Sequence, residues 1–303
     1  MVKVIITALR RSGSTIFWKC FREVTKAICF DEPFNPKLAQ LPREHEKKVY
    51  QEYINFLEIY REEFWQSFYP IYPLDELKSN LSSDHSLYLQ KLLETQNDVV
   101  IDTTRCWNKI VSLKEVVGAD TYLIHLHRSP ASFVTSHLLP SDESGKGAFF
   151  RDLKRKNNFW TRIGDFNRWN MEDVMGSQLF SAFHLQILKN DSLAEKFYQS
   201  PAAYRLFKFW SIVFDKVEQD GRKFFGQQFI SINFEDFCSN PTKVLQSAVS
   251  VQVGLDFDYD RLPKILPPKK AYMQGNIKWR QVSRYWNLPE NDHFIFRNLL
   301  TNV

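Results

Sequence analysis

The chain has only four cysteines in 303 residues, Cys20, Cys29, Cys106 and Cys238, far apart in apolar runs and with no C-x-x-C spacing. This excludes a disulfide scaffold and a cysteine metal knuckle, and buried reduced thiols are expected. No stretch reaches the ~18 uncharged apolar residues of a membrane-spanning helix. The first apolar run is too short for a signal peptide and serves as a strand, so a soluble, cytoplasmic chain without a membrane span is expected. A large excess of one charge is also missing. Forty Lys and Arg against 35 Asp and Glu give a net charge of +5, which suits anionic small ligands without calling for nucleic acid. There is no nucleic-acid-binding motif, internal repeat or low-complexity tract, and no His, Cys or carboxylate grouping with metal-ligand spacing, so no metal is expected. Oligomeric state cannot be read from these features.

What is present is a chain 44% apolar and 15% aromatic, enough at this length to bury a large core. Strand patterns fall at 2–8, 27–30, 99–102, 122–127 and 229–233, with helical patterns between them. The alternation predicts an α/β fold: one domain over 1–303 with a central parallel sheet flanked by helices, and helical or lid insertions near 40–95 and 140–215. Ile16, Phe17, Cys20, Phe21, Val24 and Ile28 recur at helical spacing, so the helix after the first strand should pack on the sheet through them.

The first strand runs into Leu9-Arg10-Arg11-Ser12-Gly13-Ser14-Thr15, a basic turn with one Gly and three hydroxyls at the positive end of a helix. Such a turn suits an anionic group. A nucleoside-triphosphate loop reads G-x-x-x-x-G-K-[ST]; here Ala8 replaces the first Gly and Ser14 the Lys, which weakens an ATP-hydrolysing reading. A second strand pattern, ending at His127, leads into Arg128-Ser129-Pro130 and a helical run through Ser136. Ser129 is suited to the N-cap and Pro130 to the first helical position. Ser136, about two turns on, then returns to the side of the helix start, where it and Arg128 are placed to hold one phosphate.

Together these two segments resemble the sulfotransferases that use 3′-phosphoadenosine 5′-phosphosulfate (PAPS). The resemblance implies that Arg11, Ser12, Gly13, Ser14 and Thr15 take the 5′-phosphosulfate, and that Arg128 and Ser136 take the 3′-phosphate. The segment Phe234-Glu235-Asp236-Phe237 with Asn240-Pro241, followed by a helix over 244–255, is similar to a late element of that family. Gly275-Asn276-Ile277-Lys278-Trp279-Arg280 is similar to its nucleotide-closing stretch, which implies donor contacts for Lys278 and Trp279. Residues 140–200 match no known pattern.

Sulfuryl transfer needs a base for the acceptor proton and positive charge where the leaving phosphate develops its own. Glu32, in Asp31-Glu32-Pro33 after the second strand, stands where α/β sheets place ligands. Its position resembles the Glu-Pro element of carbohydrate-modifying family members, and it is the preferred general base over Asp31. Arg11 is the candidate for the 5′-phosphate and the transferring sulfonate, and Arg10 reads as a solvated neighbour. Arg105 and His137 are candidate acceptor contacts; for Arg105 a surface ion pair with Asp102 or Glu115 is the competing reading. His125 and His127 read as core histidines. The family's further lysine is matched by Thr103, with Lys109 or Arg105 as substitutes, and Trp18 and Trp107 are weaker stacking candidates than Trp279. The expected function is transfer of the sulfonate of PAPS to a hydroxyl acceptor, with 3′-phosphoadenosine 5′-phosphate (PAP) as product. A nucleotide kinase-like phosphotransferase and a non-catalytic PAPS or PAP binder are the alternatives.

Overall fold

The computed structural model describes residues 1–40, 62–138, 183, 191–200, 202–265 and 284–287. In chain order the elements are β1 (Lys3–Ala8), α1 (Ser14–Val24), β2 (Ile28–Asp31), α2 (Glu62–Ser67), α3 (Pro73–Glu76), α4 (Ser83–Leu93), β3 (Val99–Thr103), α5 (Ile110–Val117) and β4 (Thr121–His127). After them come α6 (Pro130–Leu138), α7 (Asp191–Gln199), α8 (Ala202–Phe225), β5 (Phe229–Asn233), α9 (Phe234–Ser239) and α10 (Pro241–Val244). A π-helical turn, Leu245–Ser250, then joins α10 to α11 (Val251–Val253). Each of the five expected strands is found within two residues of its predicted bounds. The helix predicted over 244–255 begins earlier, at Pro241, where Asn240 caps it through the Lys243 N–H at 3.2 Å.

The strands form one sheet in the order β2-β3-β1-β4-β5, with every pairing parallel. Its members are almost wholly buried, as expected of strands covered on both faces. The order reverses around β1, and at such a reversal an α/β sheet opens a crevice beyond the carboxyl ends of its strands. One face, carrying Val4, Ile6, Ala8, Val100, Ile124, Leu126, Ile230 and Ile232, packs with Phe17, Phe21 and Val24 of α1 and with Phe237 of α9. The Phe17 and Phe237 rings meet edge-on at 4.9 Å. The predicted stripe on α1 needs two corrections. Ile16 is 46% exposed, because it lies on the solvent side of the first turn. Ile28 belongs to β2, because the helix ends at Val24. Trp18 is buried in this core with Arg22 over its ring, and Trp107 is buried too, so neither presents a free stacking face.

Contacts divide the chain into two compact units: Met1–His127 with Asp215–Leu266, and Arg128–Phe214 with Pro267–Val303. The sheet and the loop after β1 lie in the first. In the second, Phe183 packs against Phe209 at 4.8 Å, and the Trp286 indole donates to the Tyr204 carbonyl at 3.0 Å. Among the described residues no helix is long and apolar enough to cross a membrane, and no group of three His, Cys, Asp or Glu is placed to hold a metal ion. All four cysteines are buried and none forms a disulfide, and burial pushes the Cys20, Cys29 and Cys106 thiols up to about 12.

Candidate functional site at the carboxyl end of the sheet

The loop after β1 is a tight turn. The Ser12 N–H donates to the Leu9 carbonyl at 3.1 Å, and Arg11 sits in the left-handed region at φ 68°. Gly13 follows at φ 89° as the N-cap of α1. Its place demands glycine twice over, because a Cβ there would strike the Phe234 ring as well as strain the backbone. The first N–H groups of a helix have no intrahelical acceptor, and the helix dipole adds positive potential. No acidic residue stands in the first turn of α1 to compete with a bound anion. The Ser12 and Ser14 side chains are buried at this turn, and Arg11 is exposed beside it.

Next to the loop, Asp31 and Asp102 are direct partners in the β2–β3 register, and both are buried. Burial and the neighbouring carboxylates of Asp31 and Glu32 push the Asp102 carboxyl well above its usual range, with the Ser14 hydroxyl pulling the other way. The pair is therefore pushed toward its protonated form.

Glu32 does not continue the strand. Its N–H still donates to the Asp102 carbonyl at 2.9 Å, but its φ is 50° and its own carbonyl accepts from the Asn35 N–H at 2.9 Å, closing a turn over Pro33. A non-glycine residue held in this region is strained, and such strain gathers at functional sites. The turn aims the carboxylate along the end of the sheet. Oε1 accepts the Thr104 N–H at 2.8 Å. Oε2 is buried, accepts no hydrogen bond, and lies 3.5 Å from Arg105 Nε.

Arg10 and Arg105 differ from their sequence readings. Arg10 is not solvated: both its terminal nitrogens donate to Glu76, Nη1 to Oε2 at 2.9 Å and Nη2 to Oε1. Arg105 pairs with neither Asp102 nor Glu115. Its Nη1 donates to Glu76 Oε1 at 2.7 Å and its Nη2 to Asn35 Oδ1 at 3.3 Å. Burial works against the charge on Arg10, but the Glu76 carboxylate more than offsets it and the guanidinium is held above its ordinary value. Burial pushes the Glu76 carboxyl up, while Arg10 and Arg105 pull it back. Lys109 does not reach toward the loop. It is buried, and its ammonium donates to the carbonyls of Asp75 at 2.6 Å, of Lys78, and of Asn80 at 3.5 Å, closing the segment after α3. Thr103 is buried beside Cys106.

At the start of α6, Ser129 caps as expected: its Oγ accepts the Ser132 N–H at 3.4 Å. Arg128 is buried there. Further along, Ser136 Oγ donates to the Phe133 carbonyl at 2.7 Å, and His137 is buried with Nδ1 3.0 Å from the same oxygen. Lys278 and Trp279 lie outside the described residues. Sequence reasoning missed Glu76 altogether. Its partners are 66 and 29 residues away, and no local pattern marks a carboxylate that will be buried by such distant residues.

No family model matches the chain, and no curated protein does. Among solved structures, the chain is similar to the sulfotransferase domain of an olefin synthase from Synechococcus PCC 7002, at 17% identity and a TM-score of 0.38 over 99% of this chain and 93% of that one. It is also similar to the sulfotransferase domain from the curacin biosynthetic pathway, at 14% and 0.46 over 100% and 97%. A third neighbour is a sulfotransferase from Mycobacterium tuberculosis H37Rv, at 10% and 0.41 over 94% and 76%.

Proposed function

We propose that the chain is a sulfotransferase that moves the sulfonate group of PAPS to a hydroxyl acceptor, with a carbohydrate or glycoconjugate favoured by Glu32-Pro33. The observation that carries this reading is the lysine-less anion cradle. Gly13 is locked in the left-handed region beneath Phe234, and the amide-rich start of α1 carries buried hydroxyls and no acid. PAPS would bring a sulfonate already joined to a phosphate leaving group. The backbone N–H groups at Gly13–Thr15, the Ser14 hydroxyl and the Arg11 guanidinium would hold the 5′ end and receive the charge that builds on the departing phosphate. Glu32 Oε2 takes the acceptor proton while the acceptor oxygen bonds to sulfur and the bond from sulfur to the bridging oxygen breaks. Arg128 and Ser136 are assigned to the 3′-phosphate on sequence spacing, and Arg105 and His137 to the acceptor.

One observation favours a phosphotransferase instead: Asp102, at the end of the strand beside β1, lies against Ser14, where a magnesium-phosphate enzyme needs a carboxylate. Thermal shifts separate the readings, because a ligand at about 100 times its dissociation constant adds roughly 2.7 kcal/mol of stability. PAP without metal should stabilise the chain where ADP and ATP with Mg²⁺ do not, and the opposite pattern would select the phosphotransferase. Arg128→Ala should weaken PAP about tenfold to a hundredfold, the range of a lost charge-assisted hydrogen bond, and leave adenosine 5′-phosphosulfate, which lacks the 3′-phosphate, unchanged. Equal losses for both would remove Arg128 from the donor site. Binding of PAP with no transfer to a broad set of acceptors would mark a non-catalytic binder.

A further inference from the structure

Glu76 belongs to no motif, yet it ties together three of the loops that close the carboxyl end of the sheet. It ends α3, its side chain is 0% exposed, and it accepts from Arg10 of the loop after β1 and Arg105 of the loop after β3. Arg105 in turn lies within ion-pair distance of Glu32, which follows β2. Arg105 thus stands between two carboxylates on unequal terms. Its Nη1 is hydrogen-bonded to Glu76 at 2.7 Å, whereas its Nε stays 3.5 Å from Glu32 Oε2 and makes no hydrogen bond there.

An arginine beside two carboxylates settles on the one that satisfies its planar fork, and the other is left with a weaker, longer-range attraction. Glu76 is fixed in the winning position because Arg10 also grips it, through both its oxygens. Glu32 Oε2 is consequently a buried carboxylate oxygen without a donor, although a guanidinium stands within reach. A buried acceptor left open in this way calls for an explanation.

We propose that Glu76 is a positioning residue that holds Arg105 off Glu32, so that Glu32 Oε2 stays open to receive a proton. The catalytic meaning of this role rests on the reading of Glu32 as the base; the geometric hold does not. Were Glu76 neutral, Arg105 would turn its fork to Glu32 and close Oε2 with a hydrogen bond. Among the described residues, the charged or titratable groups facing Glu32 besides Arg105 are Glu76 from α3, Arg10 from the loop after β1, the Cys106 thiol from the loop after β3, and Asp102 from the end of β3. Removing the negative charge of Glu76 and tightening the Arg105 contact act in one direction. Both favour the ionised form of Glu32 and lower the pH at which it titrates.

The test reads Glu32 directly. In protein labelled with ¹³C at the glutamate carboxyl carbons, the Glu32 signal is identified by its loss in Glu32→Gln and followed with pH in the parent and in Glu76→Gln. Its midpoint should fall by about one pH unit in Glu76→Gln, while PAP affinity stays within about twofold. Turnover on a working acceptor should drop about tenfold, with its acidic limb displaced to lower pH. A purely structural Glu76 would move neither the midpoint nor the limb, and an unmoved or raised midpoint overturns the proposal. Should Glu76→Gln fail to fold, the paired change Arg10→Gln with Glu76→Gln removes one charge of each sign and still releases Arg105, so the same fall is expected. If the parent chain neither binds PAP nor transfers sulfonate, the proposed function is overturned, and the Glu32 midpoint still decides the hold of Glu76 on Arg105.

Discussion

Two polar clusters lie in the unit that holds the sheet, one buried and one reaching the surface through Arg222, and they handle their carboxylates in opposite ways. On β4, β5 and α8, Glu218 has both oxygens engaged. Oε1 lies 2.7 Å from His125 Nδ1 and accepts from Ser231 Oγ at 2.6 Å, and Oε2 accepts from Arg222 at 2.7 Å. Burial pushes this carboxyl up, but the hydrogen bonds outweigh it and bring it down to about 2. At the ends of β1, β2 and β3, Glu76 is filled in the same fashion by two arginines, while Glu32 beside it keeps one oxygen open. A closed carboxylate stabilises and does no chemistry; an open one in a strained turn is available for proton transfer. The difference separates a structural network from a candidate site more sharply than the kinds of residue present, since each has a glutamate and an arginine.

The comparison breaks first at Glu32. Glu32→Gln keeps the Thr104 contact and removes the proton acceptor, so turnover on a working acceptor should fall by about 10²–10⁴, the usual worth of a general base. PAP affinity should stay within about threefold, because no donor contact is assigned to this side chain. Near-normal turnover in the variant would turn attention to His137 or to Asp31.

Much of this architecture is legible in the sequence because it is local. Parallel strands buried on both faces are written as apolar runs, and the cradle as a hydroxyl-rich turn with its single Gly13 between strand and helix. The same logic places Ser129 as a cap three residues before the N–H it receives. What the sequence hides is pairing across distance. Arg10 looks like a solvated neighbour of Arg11 until α3 brings Glu76 to it, and Arg105 looks like a surface residue until the same carboxylate takes it in. Lys109 invites assignment to a phosphate, yet it closes the carbonyls after α3. The buried His125 imidazole on β4 is readable as core from strand alternation, but its carboxylate arrives from a helix 93 residues on.

The closed cluster offers a second way to sharpen the comparison. The folded-state value of Glu218 lies below that of an unfolded glutamate, about 4.3, so its contribution to stability is present above that pH and is lost as pH falls toward about 2. His127 adds in the same direction. Burial first, and then the neighbouring His125, lower it to about 3, so stability is lost as pH falls below the ordinary histidine range. The Glu218 share is on the order of 3 kcal/mol at pH 7. Denaturant unfolding between pH 7 and 2.5 should show a steeper acid loss in the parent than in Glu218→Gln. Identical slopes would mean that Glu218 is not held as an ion in the fold.

The smallest expected effect belongs to Asp31, and it is the one that tests whether an open oxygen, rather than a nearby carboxylate, makes the base. Asp31 is next to Glu32 in sequence but lies opposite Asp102 in the sheet, in a buried pair that burial and mutual repulsion push toward sharing a proton. A carboxylate tied to a neighbouring acid through one proton is poorly placed to take another from an acceptor. Asp31→Asn keeps the shape and hydrogen-bonding capacity of the side chain, removes its charge, and relieves the repulsion that raises Asp102. Turnover should therefore stay within about threefold of the parent, two orders of magnitude or more above the floor expected for the strongest Glu32→Gln effect. Stability at pH 7 should be equal or slightly higher, because a neutral amide relieves the repulsion between two buried carboxyl groups. Parallel turnover and unfolding measurements on the two variants decide the matter: a loss in Asp31→Asn as deep as in Glu32→Gln would transfer the proton-accepting role to the Asp31–Asp102 pair beneath Ser14.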